Sequence, residues 1–153
     1  MFNGELVAIY VSPRKREEPH AVADIEAVAG RGLVGDRYFR PDDAAPDPAK
    51  EVTLIESEAL DGLAREYEVT LAAAQARRNL LTRNVPLNHL VGREFRIGGV
   101  LLRGIRLCEP CSHLEGLTVK GVQKGLCHRG GLRAQIVKGG QIHAGDPITP
   151  AGG

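Results

Sequence analysis

Two cysteines three positions apart, Cys108 and Cys111, form with His113 the stretch whose residue types are best suited to chemistry. Such spacing occurs in zinc sites, in dithiol redox pairs and around single activated thiols. A structural zinc site needs four ligands, and only Cys127 and His128 could complete one. Neighbours on a strand point to opposite faces, so zinc is the less favoured interpretation. Cys127 is interpreted as a structural residue.

Cys111 is the stronger candidate for a reactive thiol. Ser112 and Glu115 match a capping box, which predicts a helix starting just after Cys111 and a proline-containing exposed loop before it. Backbone N–H groups at a helix start favour a thiolate, and Arg106 and His113 add positive charge. A thiolate attacks sulfur or ligates a soft metal, so we predict that Cys111 carries the function.

A glycine-rich segment, residues 30–35, matches the G-x-G-x-x-G pattern of dinucleotide-binding loops. That chemistry requires a helix directly after the loop, and the residues from Asp36 onward are a poor helix start. Two interpretations remain open. The segment is either a flexible glycine loop or a loop that brings Asp36 and Arg37 to a site.

Arginines occur in two further clusters. Arg77 and Arg78, followed by Asn79, come after an alanine-rich stretch, where cations stabilise a helix end or bind an anion. Arg129 and Arg133 flank paired glycines, which predicts a hairpin tip or an anion site, because arginine forks match phosphate oxygens. Both alternatives stay open for each cluster.

The elements that must position these residues are short. Strands are predicted over residues 5–12, 21–29, 51–55, 80–85, 94–97, 100–107, 132–138 and 141–149, with a loop over 30–48. Helices are predicted over 57–67, 70–77 and 112–121. The glycine pairs at 98–99, 130–131 and 139–140 predict hairpin turns. The pattern indicates a mainly β fold, a barrel with inserted helices.

Composition limits the function classes. The 153 residues carry a net charge of +1, with 42% hydrophobic and 4% aromatic residues, so we expect one domain over 1–153 and neither nucleic-acid nor membrane binding. Three cysteines, an odd number, do not make a disulfide framework. Without a recognisable targeting segment, a cytoplasmic location is expected.

An ordered set of motifs resembles the MOSC domain, named for the C-terminal domain of molybdenum cofactor sulfurases. The motifs are Gly35-Asp36-Arg37, Glu51-Val52-Thr53-Leu54-Ile55-Glu56, Arg78-Asn79-Leu80, Cys111 after a proline, and Gly139-Gly140-Gln141-Ile142 with Gly145-Asp146. The resemblance covers almost the whole chain. It implies a single MOSC-type β-barrel of the pyruvate kinase β-barrel-like kind.

The resemblance also implies a function. In relatives that reduce amidoximes or detoxify N-hydroxylated bases, one cysteine is thought to ligate the molybdenum of a pterin cofactor, and in sulfurases to carry sulfur. The matching residue here is Cys111. Asp36, Arg37, Arg78 and Asn79 would then line the cofactor or substrate pocket, and Arg133 is added from the arginine cluster above. A redox or sulfur-donor protein and a homodimer are compatible partners.

The sequence departs from the family pattern at two places. Tyr38 stands where many relatives have histidine, and Cys108 adds a second thiol that many relatives lack. The second thiol keeps an alternative open, namely a non-catalytic binding module stabilised by zinc or by a Cys108/Cys111 dithiol. A chain that has kept only the fold is the third alternative.

Overall fold

A computed structural model describes residues 2–151, and consists mostly of short strands. The strands are β1 (Gly4–Val11), β2 (His20–Val22), β3 (Asp24–Val28), β4 (Gly32–Leu33), β5 (Val52–Glu56), β6 (Leu80–Arg83), β7 (Glu94–Ile97), β8 (Val100–Leu107), β9 (Leu132–Lys138), β10 (Gly140–His143) and β11 (Pro147–Pro150). The helices are α1 (Ser57–Tyr67), α2 (Ser112–Leu117) and α3 (Val122–Gly125), with 3-10 turns at Pro48–Lys50, Ala73–Ala76 and Leu87–Leu90. No helix in this range is long and apolar enough to cross a membrane.

Seven strands close into a barrel in the order β1, β6, β5, β9, β8, β7 and β11, because β11 pairs with β1. The closing pairs are Gly4 with Ile148 and Glu5 with Pro147. All neighbours are antiparallel except β5 and β6, which α1 connects. The strands β10, β3 and β4 form a small second sheet. The mainly β barrel expected from the sequence is confirmed.

The apolar residues divide into two clusters. The larger fills the barrel with inward-facing side chains of its strands, including Leu6 and Ile9 on either side of a register shift in β1, and Phe95, all fully buried. The smaller packs α1 against the outside of β6, with Leu63 and Leu81 among its members. Period-two burial along the strands lets one set of side chains fill the barrel while their neighbours face outward.

Several element predictions are wrong, each for a local reason. Residues 141–149 form two strands in different sheets, since Gly145 at φ 98° and the turn closed by the Asp146 carboxylate on the His143 N–H interrupt them. Likewise, the 21–29 strand divides into β2 and β3. The alanine-rich helix is only a 3-10 turn, which Arg77 ends at φ 58°.

Of the glycine pairs, only Gly98-Gly99 forms a hairpin turn, between β7 and β8. The pairs at 130–131 and 139–140 lie where chain segments pack against each other. A Cβ on Gly131 would collide with the Leu54 carbonyl oxygen, and one on Gly139 with the Ala27 carbonyl oxygen. Glycine is needed there for close approach between segments.

Candidate functional site

One end of the barrel opens into a cavity of about 240 Å³. Its wall is built where β1 and β8 end and where β5, β6 and β9 begin, with the loop after β4 and the start of α2 completing the rim. All of the predicted site residues line it: Asp36, Arg37, Arg78, Asn79, Cys111 and Arg133. Six positions spread over nearly 100 residues of sequence therefore share one cavity.

Cys111 is exposed at this cavity, whereas Cys108 is only 3% exposed. Cys111 is itself the N-cap residue of α2, a helix of six residues, so the predicted capping box is wrong. The Glu115 carboxylate instead accepts the N–H groups of Gly121 and Gln123, which fixes α3 beside α2. Cys111 is thus an exposed cysteine within the cavity lining.

The glycine loop after β4 brings two side chains to the cavity. Asp36, 8% exposed, accepts the Ser12 N–H at 3.0 Å and the Tyr38 N–H at 3.4 Å, which fixes the loop against the end of β1. The residues directly after Gly35 form turns and not a helix, so the dinucleotide pattern lacks its required context. Of the two interpretations left open, the structure supports a loop that delivers Asp36 and Arg37.

Arg37 is held on one side only. Its guanidinium lies 4.8 Å from the centre of the Tyr38 ring, and Nη2 donates to the Tyr38 hydroxyl at 3.4 Å. Nη1 is buried without a hydrogen-bond partner among residues 2–151. A buried charged donor of this kind is costly until an acceptor reaches it.

Arg78 and Asn79 also line the cavity, but their polar atoms bind the protein's own chain. Arg78 donates to the carbonyls of Gly130 at 2.8 Å, Ala76 at 3.3 Å and Cys108 at 3.2 Å. Asn79 donates to the Tyr10 carbonyl and accepts the Thr53 N–H. Arg78 therefore contributes positive charge to the cavity, and both side chains join its walls together.

Arg133 belongs to β9 and not to a hairpin tip, so the predicted hairpin is wrong there. Its Nη1 donates to the Ala49 carbonyl at 3.2 Å. Lys50, the last residue of the 3-10 turn Pro48–Lys50, also lines the cavity and was missed because no sequence motif marks it. Arg77, for which the sequence left a helix end and an anion site open, also lines the cavity. Burial first, and the Arg37 charge second, lower the pKa of Arg77.

The cavity is therefore strongly positive. Its lining within residues 2–151 includes five lysine or arginine side chains and one carboxylate, Asp36. The cations are Arg37, Lys50, Arg77, Arg78 and Arg133. A cleft lined by one sign of charge concentrates counter-ions, and guanidinium forks match the oxygens of phosphate-like anions. The arrangement suits an anion placed next to a thiol.

The alternative of a zinc or dithiol module finds little support in this arrangement. No group of three histidine, cysteine or acidic side chains that could hold a metal occurs in the described part of the chain. The cysteines are free, with Cys108 buried while Cys111 and Cys127 are exposed. Cys127 fills no core position, although the sequence suggested a structural role.

Fold and site together define a small β-barrel protein with an exposed cysteine beside an anion-attracting cavity. The chain belongs to the MOSC domain family, since the model of the MOSC domain matches residues 41–149. This family is linked in general to molybdenum cofactor binding or sulfur transfer. No curated protein matches the sequence.

Solved structures share the fold at low sequence identity. The YUAD protein from Bacillus subtilis superposes with a TM-score of 0.82 at 14% identity, covering 97% of each chain. YiiM from Geobacillus stearothermophilus gives 0.71 at 15% identity, covering 97% of this chain and 75% of that one. YiiM from Escherichia coli gives 0.70 at 19% identity, covering 100% and 71%.

Proposed function

We propose that this protein binds a molybdenum–pterin cofactor, with the Cys111 thiolate as a ligand of the metal. The observation that carries the proposal is the shared cavity: Cys111 opens into a space lined by five cationic side chains. Nη1 of one of these, Arg37, is buried without an acceptor among residues 2–151. Thiolate sulfur is a preferred ligand for soft metals, and arginines suit the phosphate of a pterin.

The residues present fit such a group. Within residues 2–151, Arg37 and Arg77 have donors available for phosphate oxygens, and an anion between them would offset the burial and the Arg37 repulsion that lower the Arg77 pKa. The cavity of about 240 Å³ is at the small end of ligand sites, so it suits an anionic head group better than a whole enclosed cofactor. An exposed thiol at the rim is consistent with that arrangement.

When bound, the group would supply two-electron redox chemistry, of the kind that reduces N-hydroxylated compounds. The chain's own residues bind and orient. Asp36 keeps the glycine loop on the end of β1, so that Arg37 stays aimed into the cavity. Tyr38 holds the guanidinium plane through ring contact and its hydroxyl. The remaining cations lower the cost of bringing negative charge into the cleft.

Sulfur carriage is the second candidate, and the exposure of Cys111 favours it. In that role the Cys111 thiolate attacks the outer sulfur of a donor protein's persulfide. The sulfur–sulfur bond of the donor breaks, the donor leaves as a thiolate, and Cys111 becomes the persulfide. A persulfide carries one charge, however, and five cations exceed what it requires. We therefore rank cofactor binding first.

Purification from a host that makes the cofactor tests the proposal. We expect near-stoichiometric molybdenum and fluorescent pterin in the wild type, loss of molybdenum in Cys111→Ser, and loss of pterin in Arg77→Gln. Arg83→Gln is the matched control, since Arg83 is exposed and pairs with Glu5 away from the cavity. A metal-free wild type that takes up cyanide-labile sulfur at Cys111 would establish the second candidate instead.

A further inference from the structure

The loop that carries Cys111 is attached to the segment before β9 by a carboxylate outside the cavity. Glu109 Oε1 accepts the His128 N–H at 2.7 Å, and Glu109 Oε2 lies 2.8 Å from Nδ1 of the same histidine. An exposed ion pair usually contributes little. Two short contacts from one carboxylate to one residue, in contrast, fix both position and orientation.

Further contacts join the same two segments from the cavity side. Arg78 donates to the Cys108 and Gly130 carbonyls together, and the Cys108 N–H donates to Gly131 O at 2.7 Å. The segments are so close that a Cβ on Gly130 would lie 2.5 Å from the Cys108 carbonyl oxygen. The His128 carbonyl, in turn, accepts a hydrogen bond from Asn88 Nδ2 at 2.8 Å, which anchors the histidine to the 3-10 turn Leu87–Leu90.

We propose that Glu109 is a positioning residue. By binding His128 it holds the Cys111 loop closed on residues 128–131, so that the thiol stays beside the cations of the cavity. This inference rests on the proposed function, because it assumes that Cys111 acts within that cavity. It extends the site to a residue that does not line it.

The sign of the change in local charge distinguishes a positioning role of Glu109 from a direct effect of its own charge. Glu109 is negative, so removing it without moving the loop makes the surroundings of Cys111 more positive. Opening the loop carries the thiol away from the cations and makes its surroundings less positive. The two effects have opposite signs.

The charge around Cys111 can be measured by alkylation with anionic iodoacetate and neutral iodoacetamide. Both reagents consume the thiolate. The ratio of the iodoacetate rate to the iodoacetamide rate therefore cancels the thiolate fraction and reports the local electrostatic potential. The ratio is normalised to a small neutral thiol. A Cys127→Ser background removes the other exposed cysteine, and Cys108 is buried. Mass spectrometry confirms that the adduct is on Cys111.

In the Cys127→Ser background at low salt, we expect a normalised ratio of about three or more. Glu109→Ala should lower it at least about twofold, whereas Glu109→Gln, which keeps an acceptor and offers a donor, should keep or raise it. Glu58→Ala is the matched control, because Glu58 is another exposed glutamate that accepts a backbone N–H, from Asn84. It should leave the ratio unchanged.

A raised or unchanged ratio in folded Glu109→Ala overturns the positioning role and leaves the proposed function standing. A ratio near one in the protein that retains Glu109 overturns both the positioning role and the proposed function, because the thiol is then not beside the cations. If Glu109→Ala fails to fold, Glu109→Asp provides the comparison. It keeps the negative charge but shortens the side chain by one methylene, so that the two contacts to His128 cannot both form and the ratio should again fall.

Discussion

The barrel interior and the cavity at its end are built from the same strands but differ in content. Strand β1 contributes Leu6 and Ile9 to the interior, both fully buried, whereas Tyr10 near its end and Ser12 just after it lie on the cavity wall. The interior is filled by apolar side chains, while the cavity gathers cations that no matching number of carboxylates in its wall neutralises. The difference indicates that the core supplies stability and the barrel end is left free to carry unpaired charge.

The largest effect should come from damage to the interior. Phe95 is fully buried in the barrel, so Phe95→Ala removes a large side chain and leaves a void. We expect a loss of about 3–5 kcal/mol in the free energy of unfolding, measured by urea denaturation. The alkylation ratio of Cys111 should remain at the wild-type value wherever the variant is folded. A loss below about 1 kcal/mol would mean that the interior is not the main source of stability.

The two neighbouring cysteines sharpen the comparison. Cys108 is buried in the cavity wall, so Cys108→Ser replaces a buried thiol by a more polar hydroxyl and should cost about 1–3 kcal/mol in the free energy of unfolding. Cys111→Ser should leave it unchanged or raise it by up to about 1 kcal/mol, because the side chain is exposed and serine is a preferred residue at the N-cap position that Cys111 occupies. Urea denaturation of both variants provides the measurement. Equal losses would instead favour a module stabilised jointly by both thiols.

Local patterns in the sequence were enough for most of the fold. Helix α1 begins and ends at the predicted residues, since Leu60, Leu63 and Tyr67 recur at helical spacing. The errors arose where distant segments decide. Gly131 has a φ of 117° and lies against the Leu54 carbonyl, a constraint that its own neighbours do not encode. Paired glycines therefore suggested a turn where packing required the absence of a side chain.

The site shows the same limit. Family motifs led to residues that line one cavity, because those motifs follow strand ends that the barrel brings together. They did not distinguish Arg78, whose nitrogens bind backbone carbonyls, from Arg77, which lies beside Arg37 without such a set of bonds. The hydrogen bond between Glu109 and His128 spans 19 positions, and His128 itself has a left-handed backbone conformation with a φ of 63°. No local pattern therefore predicts this bond.

Arg77→Gln tests whether the positive charge of the cavity lowers the stability of the protein. Burial and the Arg37 charge both disfavour the Arg77 cation. The free energy of unfolding of the variant should therefore lie between the wild-type value and about 0.5 kcal/mol above it. Millimolar phosphate should stabilise the wild type by binding the folded state and should stabilise the variant less. Thermal unfolding with and without phosphate measures both. A destabilised variant with an undiminished phosphate effect would contradict this account.

The smallest effect is expected at Glu51, which lies between the barrel interior and the cavity. Its carboxylate is 3% exposed, accepts the Ile136 N–H at 2.8 Å and lies 3.8 Å from Arg40. Burial raises its pKa above the ordinary value of 4.5 despite these contacts. The folded protein therefore holds this proton more tightly than the unfolded chain does. The associated stability is complete below pH 4.5 and is lost as the pH rises through the raised pKa.

Glu51→Gln removes this titration while keeping one acceptor for the Ile136 N–H. The unfolding free energy of the wild type minus that of the variant should therefore fall as the pH rises from about 4.5, and become constant above the raised pKa. Urea denaturation of both proteins across that pH range gives the difference directly. A difference that grows with pH would mean that Arg40 and the backbone outweigh burial. The boundary carboxylate would then resemble a paired surface charge, and the contrast between an apolar barrel and a charged end would be less sharp there.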